Sequence, residues 1–299
     1  MQTQPNTSIE TPINESGERY ALLQAPVAGK PLSIRTGFEA LSFKHNMFGG
    51  AMDPLVMVDH YTMTEPTFGA HPHAGMSAVT VLFEDSIGAF NNRDSLGNDI
   101  DLMPGDLYWL KAGSGAVHDE KPVFDATAHG LQMFVNLPAR MKHDAPKALH
   151  VKADQMPVLK QSGARVRIVL GASNGIIGHS SPALPMTILD ANIEAGGHFE
   201  HDNASGRSQW IHVVHGCIEV AVGAEMVKVP AGKALAIKAT REARVLSIQA
   251  LVDSHAVIVT GEPIEEPFVQ RGPFVMSSES QILEIEATYR SGRLGRLGD

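Results

Sequence analysis

The sequence predicts an all-β protein made of two related sandwich or barrel units. Three observations carry that expectation. Strand-like blocks rich in β-branched and apolar residues dominate the chain, turn signals divide them at short intervals, and the two halves repeat one pattern. Between residues 76 and 136 the dividing turns are Ser95-Leu96-Gly97-Asn98, Met103-Pro104-Gly105-Asp106 and Ala112-Gly113-Ser114-Gly115. A polar stretch over residues 140–157, carrying Lys, His and Pro, interrupts the series and reads as an interdomain linker. A second series follows at residues 165–170, 186–193, 210–214, 217–222 and 243–251. Gly216 and Pro230-Ala231-Gly232-Lys233 punctuate it as Gly88 and Pro104-Gly105-Asp106 punctuate the first half, so the halves read as divergent copies of one unit.

Helical periodicity is clear only over residues 280–289, where Ile282, Ile285 and Tyr289 share a face that would pack on a barrel. Residues 1–18 are polar and lack the basic start and apolar core of a signal peptide. The expected organisation is therefore a polar arm at 1–19, a first unit at 20–145, and a second unit at 146–299 that includes the helix.

Composition narrows the function classes. Of the 299 residues, 43% are hydrophobic and 19% charged, with 28 Gly and 18 Pro, which suits a turn-rich globular chain. A formal charge of -9 disfavours direct binding to nucleic acid or anionic membrane, both of which need a basic footprint. No run approaches the roughly 18 apolar residues of a membrane span. The single cysteine, Cys217, cannot form an internal disulfide, which points to a reducing, cytoplasmic setting.

Chemistry concentrates at His71-Pro72-His73 and His118-Asp119-Glu120. Alternate side chains of a strand share a face, so each i, i+2 pair can aim two donors at one point. Pro72 removes a backbone donor and places the first pair at a strand edge or start. A histidine between Gly and Pro could equally be a plain turn residue, but the second pair, after a Gly-rich turn, favours the ligand reading. Three imidazoles and one carboxylate suit a divalent first-row metal with positions left open for catalysis, and no thiolate favours structural zinc. Spacing alone leaves Fe, Mn, Co and Ni open.

The remaining histidines take plainer readings. His143 and His150 fall in the linker and are expected to be solvated. His198 and His201 are three apart and cannot share a strand face. His60 and His129 read as barrel-wall residues. Gln132, on the strand after His129, is a candidate pocket residue, with His129 and Trp109 beside it. No nucleophile elbow, Walker A loop, dinucleotide fingerprint or Cys-x-x-Cys pair is present.

Several motifs in order make the chain resemble the pirin family, a bicupin group of the cupin superfamily. They are Asp53-Pro54 to Asp59, His71-Pro72-His73-Ala74-Gly75, Arg93-Asp94-Ser95-Leu96-Gly97-Asn98 and Pro104-Gly105-Asp106-Leu107-Tyr108-Trp109. Ala112 to Glu120, Ala128-His129-Gly130-Leu131-Gln132 to Pro138, Gly261-Glu262-Pro263 to Pro267 and Arg271-Gly272-Pro273-Phe274-Val275-Met276 continue the match, which covers roughly residues 20–298.

The resemblance implies two tandem cupin (double-stranded β-helix, jelly-roll) barrels with a short C-terminal helix. It implies one metal, usually iron, on His71, His73, His118 and Glu120, with Mn, Co, Ni, Cu or Zn as alternatives, and a metal-free second barrel. For activity it implies a quercetin 2,3-dioxygenase reaction: O2 opens a flavonol-like aromatic substrate and releases carbon monoxide. Glu120 is the candidate catalytic base, because a carboxylate beside the open position can accept the substrate's hydroxyl proton. The alternative the resemblance implies is a non-enzymatic, iron-dependent redox sensor that binds a protein partner, a transcription factor or metabolic enzyme. The chain departs from the pattern over residues 82–93, where the hairpin is longer by about two residues and Asn92 stands at the usual His position.

Overall fold

The computed structural model describes residues 22–297, so the expected arm at 1–19 lies outside the described residues. The first half runs β1 (Val27–Ala28), β2 (Lys30–Ile34), β3 (Phe38–Lys44), β4 (Leu55–Met63), β5 (His71–His73), β6 (Met76–Leu82), β7 (Phe90–Asp94), β8 (Asp99–Leu102), β9 (Leu107–Lys111), β10 (Ala116–Pro122), β11 (Ala128–Asn136) and β12 (Lys147–Val151). The second runs β13 (Val158–Gln161), β14 (Ala164–Leu170), β15 (Ala172–Ser173), β16 (Ile176–Ile177), β17 (Met186–Ile193), β18 (His198–Asn203), β19 (Ser208–His215), β20 (Cys217–Val222), β21 (Glu225–Pro230), β22 (Lys233–Ile237), β23 (Arg244–Ala250) and β24 (Ser254–Gly261). A hairpin of β25 (Val269–Arg271) and β26 (Phe274–Met276) precedes the helix α1 (Glu279–Arg290).

Each half forms a two-sheet cupin barrel. In the first, the sheet β12-β9-β6-β11-β4-β3-β2 packs on β5-β10-β7-β8. In the second, β1-β22-β19-β24-β17-β14-β13 packs on β18-β23-β20-β21, the same order strand for strand. The predicted all-β duplication is therefore present, down to the pairing.

The central strands of the seven-stranded sheets are covered on both faces. Their inner faces line the two barrels: Phe38, Tyr61 and Leu82 meet Phe90 and Leu102 in one, and Val166, Leu189 and Ile211 meet Phe199 and Val220 in the other. Their outer faces share a third core, where Val79, Trp109, Leu131 and Met133 pack with Ile188, Trp210, Val257 and Val259. Each such side chain contributes about 1.5–3 kcal/mol on burial. Double burial also explains why β6 and β9 are buried at every residue, with no polar alternation to mark a solvent face.

The chain ends cross between the barrels, which differs from the expected boundaries. β1 pairs with β22, completing the second barrel from the N-terminal side. In the other direction, Phe274, Met276, Ile282, Ile285 and Leu294 cluster with Ala74 and Val117 of the first barrel. The buried Lys142 ammonium donates to the carbonyls of Gly75 and Val275 and to Asn136 Oδ1, fixing that strap. The helix thus belongs with the first barrel and not with the second unit to which its sequence position assigned it. Its N-cap is Ser278, whose hydroxyl accepts from the Gln281 amide.

The expected linker is also partly strand. β12 pairs with β9, burying Val151, and His150 contacts Asp106 at 2.8 Å where a solvated histidine was expected. Lys147 and His150 gave that segment its polar look. Edge strands tolerate such residues.

Two polar networks lie between the barrels. Asp190 is buried with Arg167 and His255, and Arg167 also donates to the Gly105 carbonyl of the first barrel. Burial pushes the Asp190 carboxyl up, but His255 and Arg167 outweigh it and hold it at about 2. The second network runs from Asp85 through His129, His60 and His212 to the Lys233 carbonyl, with contacts of 2.8, 2.9, 3.0 and 3.0 Å.

Removing one partner from a buried ion cluster strands the others, so Asp190→Ala is expected to lower stability by about 3–5 kcal/mol in urea unfolding. Acid should destabilise the fold as well. Burial lowers His60 to about 3 and His201 and His212 to about 4, against 6.5 for an ordinary histidine. Below about pH 6.5 the unfolded chain takes up protons that the folded one refuses. Stability should therefore fall from there toward pH 4, by up to about 1.4 kcal/mol per pH unit for each imidazole. Urea midpoints measured across that range check this; a flat profile would contradict it.

Candidate metal centre

Strand pairing brings the two sequence motifs together. β5 lies antiparallel to β10 with His71 opposite His118 and His73 opposite Ala116. The i, i+2 spacing turns His71 and His73 inward together, and His118 meets both. His118 Nε2 is 3.0 Å from His73 Nε2 and 3.0 Å from His71 Nε2. The donor atoms of all three lie within 4.8 Å of one another.

The ring tautomers follow from the neighbours. His71 Nδ1 donates to the Gly69 carbonyl at 2.8 Å, and His73 Nδ1 to the Pro273 carbonyl at 3.2 Å. A neutral ring that donates from Nδ1 presents a lone pair at Nε2. Burial drives all three rings toward the neutral form, taking His73 to about 3, lowering His71, and setting His118 well below the usual histidine value. The Nε2 lone pairs of His71 and His73 both face His118 Nε2, and a cation would satisfy all three atoms. Backbone bonds at Nδ1 are the usual support of metal-ligating histidines. The donor set therefore fits a divalent first-row metal. Pro273 comes from the C-terminal strap, so the crossed chain end supports this centre directly.

Glu120 is placed differently from the expected fourth ligand. It is not among the three converging donors; Oε1 accepts from the Thr80 hydroxyl and, at 2.8 Å, from Asn92 Nδ2. Its Oε2 lies 3.9 Å from His118 Nδ1. Burial pushes its carboxyl up to about 7 against the pull of the Thr80 bond. Asn92, fully buried at the position where the sequence departs from the family pattern, thus holds Glu120. Neither that role nor Thr80 was legible beforehand, because both bonds join β10 to residues on other strands.

A cavity of about 280 Å3 opens beside the histidines. Phe38, Phe68, Phe90 and Phe134 wall it, and His71, His73, Glu120 and Gln132 supply its polar base. Gln132 Oε1 is 2.9 Å from Thr80 Oγ1. Of the expected pocket residues, Gln132 lines this cavity; His129 and Trp109 do not. His129 lies in the histidine chain between the barrels and Trp109 in the inter-barrel core. Strand alternation gives the reason: Gln132 and Phe134 share a face of β11, and an odd separation puts His129 on the other.

Comparisons with known proteins agree with this architecture. Residues 34–135 match Pirin and residues 188–295 match the Pirin C-terminal cupin domain. Mouse Pirin is 30% identical over 82% of this chain and 83% of its own length. The chain belongs to the pirin family. A putative quercetin 2,3-dioxygenase of Pseudomonas aeruginosa is 29% identical over 88% of this chain and 94% of its own. Among solved structures, a quercetin 2,3-dioxygenase from Acinetobacter baumannii superposes with a TM-score of 0.80 at 24% identity, covering 91% of this chain and 98% of that one. A bacterial pirin of Escherichia coli, solved in complex with nickel(II), gives 0.59 at 19% identity over 79% and 96%. No helix among the described residues is long and apolar enough to cross a membrane.

Because the three imidazoles act together, His118→Ala should weaken nickel(II) binding by more than the roughly 10–100-fold typical of an outer-shell loss. Asn92→Ala, which frees only Glu120, should stay within that range. Equilibrium dialysis with metal analysis distinguishes them; equal losses would contradict the three-histidine centre.

Proposed function

We propose that the protein is a metal-dependent dioxygenase that cleaves flavonol-type substrates such as quercetin with O2. The observation that carries the reading is the aromatic-walled cavity lined by His71 and His73, two of the three convergent imidazoles, and the relative named as a putative quercetin 2,3-dioxygenase supports it. His71, His73 and His118 would hold one divalent metal per chain, with iron(II) first and Mn, Co, Ni, Cu or Zn suited to the same donors. When bound, such an ion supplies Lewis acidity toward an enol or phenol oxygen and a means of engaging O2.

The protein's own groups do the positioning. Phe90 and Phe134 offer flat apolar walls for a fused phenolic ring system and keep water from it. Glu120 accepts the substrate's 3-hydroxyl proton. Its Oε1 is occupied by Thr80 and Asn92, which leaves Oε2 as the accepting atom. A carboxylate cannot be a tight ligand and a free base at once, and anchoring by Thr80 and Asn92 favours the base. Thr80 has one hydroxyl proton and stands between Glu120 and Gln132, so Gln132 sets which way it is given.

Oxygen uptake with quercetin by the iron(II)-loaded protein tests the reading. Glu120→Gln should retain most of the metal and lose about 10²–10⁴-fold in turnover, the usual worth of a positioned base. Unchanged turnover in that variant would overturn the base assignment. No uptake by fully loaded wild type would overturn the oxygenase itself and favour a redox-responsive, partner-binding protein.

A further inference from the structure

The duplicated fold raises the question of what the second barrel does with the place that corresponds to the first cavity. A cavity of about 470 Å3 lies there. In the first barrel the cross-strand pair Met57 and Phe134, on β4 and β11, lines the cavity. On the counterpart strands β17 and β24, the cross-strand pair Thr187 and Thr260 lines the second. β18, counterpart of β5, contributes His201 and Asn203 at the same i, i+2 spacing as His71 and His73. The donors differ in kind. On β23, counterpart of β10, Leu246 and Ile248 are buried in an apolar core where β10 carries His118 and Glu120.

The polar groups around this cavity are incompletely satisfied. His201 Nε2, Asn203 Oδ1, Arg207 Nε and Thr260 Oγ1 are buried without hydrogen-bond partners. Native proteins rarely leave such groups together unpaired, since each costs about 1–3 kcal/mol. The Arg207 guanidinium is anchored by neutral carbonyls, donating to Pro185 at 3.3 Å and Thr260 at 3.1 Å. Glu262 acts on it through space, and Asp202 stands exposed at the rim.

The acceptors can be assigned as well. Asn203 Nδ2 donates to the Arg207 carbonyl at 3.0 Å, which leaves Oδ1 free to accept. Ser173 directs its hydroxyl proton to Asn174 Oδ1 at 3.3 Å, so at 2.9 Å it accepts from His201 Nδ1 and leaves a lone pair on Nε2. The set offers one cation, one hydroxyl and two neutral acceptors. Asparagine, threonine and arginine are poor partners for a transition metal, so an organic ligand is the better match.

We propose that the second barrel holds a separate small-molecule site for a hydroxylated carboxylate, whose carboxylate faces Arg207 and whose hydroxyl donates its one proton to His201 Nε2 or Asn203 Oδ1. The site is independent of the metal centre and of the reaction assigned to it. Binding a metabolite in one barrel while the other carries the metal would give the two copies of the fold distinct tasks.

Calorimetric titration of the full chain with L-malate tests this, beside succinate, which lacks the hydroxyl. One saturable site per chain is expected, with succinate weaker. Arg207→Gln should weaken malate by about tenfold or more, as loss of a hydrogen bond between charged groups implies. Asn203→Asp, which keeps size but replaces the amide that donates to the Arg207 carbonyl with a charge that repels the anion, should do the same; melting curves establish that both variants fold. His71→Ala should leave malate binding unchanged, because chelation at the metal centre is not the source. The proposal is overturned if malate, lactate and gluconate all give no saturable heat at millimolar concentration. It is equally overturned if succinate matches malate, if both C-terminal variants bind normally, or if binding disappears in His71→Ala.

Discussion

Burial of the central strands of the seven-stranded sheets on both faces is the constraint from which the rest of the molecule follows. A strand alternates its side chains, so the buried residues of the central strands serve either a barrel interior or the seam between barrels. On β11 the even positions bring Gln132 and Phe134 to the cavity, while His129, Leu131 and Met133 go to the seam. A one-residue slip would exchange the two sets and destroy cavity and seam together. The back-to-back packing thus fixes the register that aims the functional groups.

The crossed chain ends extend the same logic. β1 completes the second barrel, and the strap through β26 and α1 covers the first and brings the Pro273 carbonyl to His73. Each barrel is completed by residues from the far end of the sequence. The metal centre inherits that dependence through one backbone carbonyl. In the second barrel the same frame carries a cavity with different donors, which shows how a duplicated scaffold can keep its geometry and change its chemistry.

Local spacing made much of this legible in the sequence. The turns at Gly105 and Gly113, the doubled strand series and the inward pairing of His71 with His73 all depend on residues a few positions apart. What stayed hidden depends on distant partners. Lys147 and His150 disguised β12 as linker, since only its pairing with β9 shows it to be an edge strand. The helix over residues 279–290 was readable from Ile282 and Ile285, but the barrel it covers was not. Glu120 is the instructive case: its i, i+2 relation to His118 put it on the right face, yet Thr80 and Asn92 decide where its carboxylate points. The family motifs marked Asn92 as a departure without saying what it holds.

The account rests on three imidazoles whose Nε2 atoms converge where one cation would bind in the first barrel. Anomalous diffraction from crystals of the iron(II)- or nickel(II)-loaded protein tests it most directly. One strong peak bonded to Nε2 of His71, His73 and His118, and none in the second barrel, is the predicted result. A peak elsewhere, such as between His60 and His129, or none at the three histidines despite a full equivalent of bound metal, would contradict it.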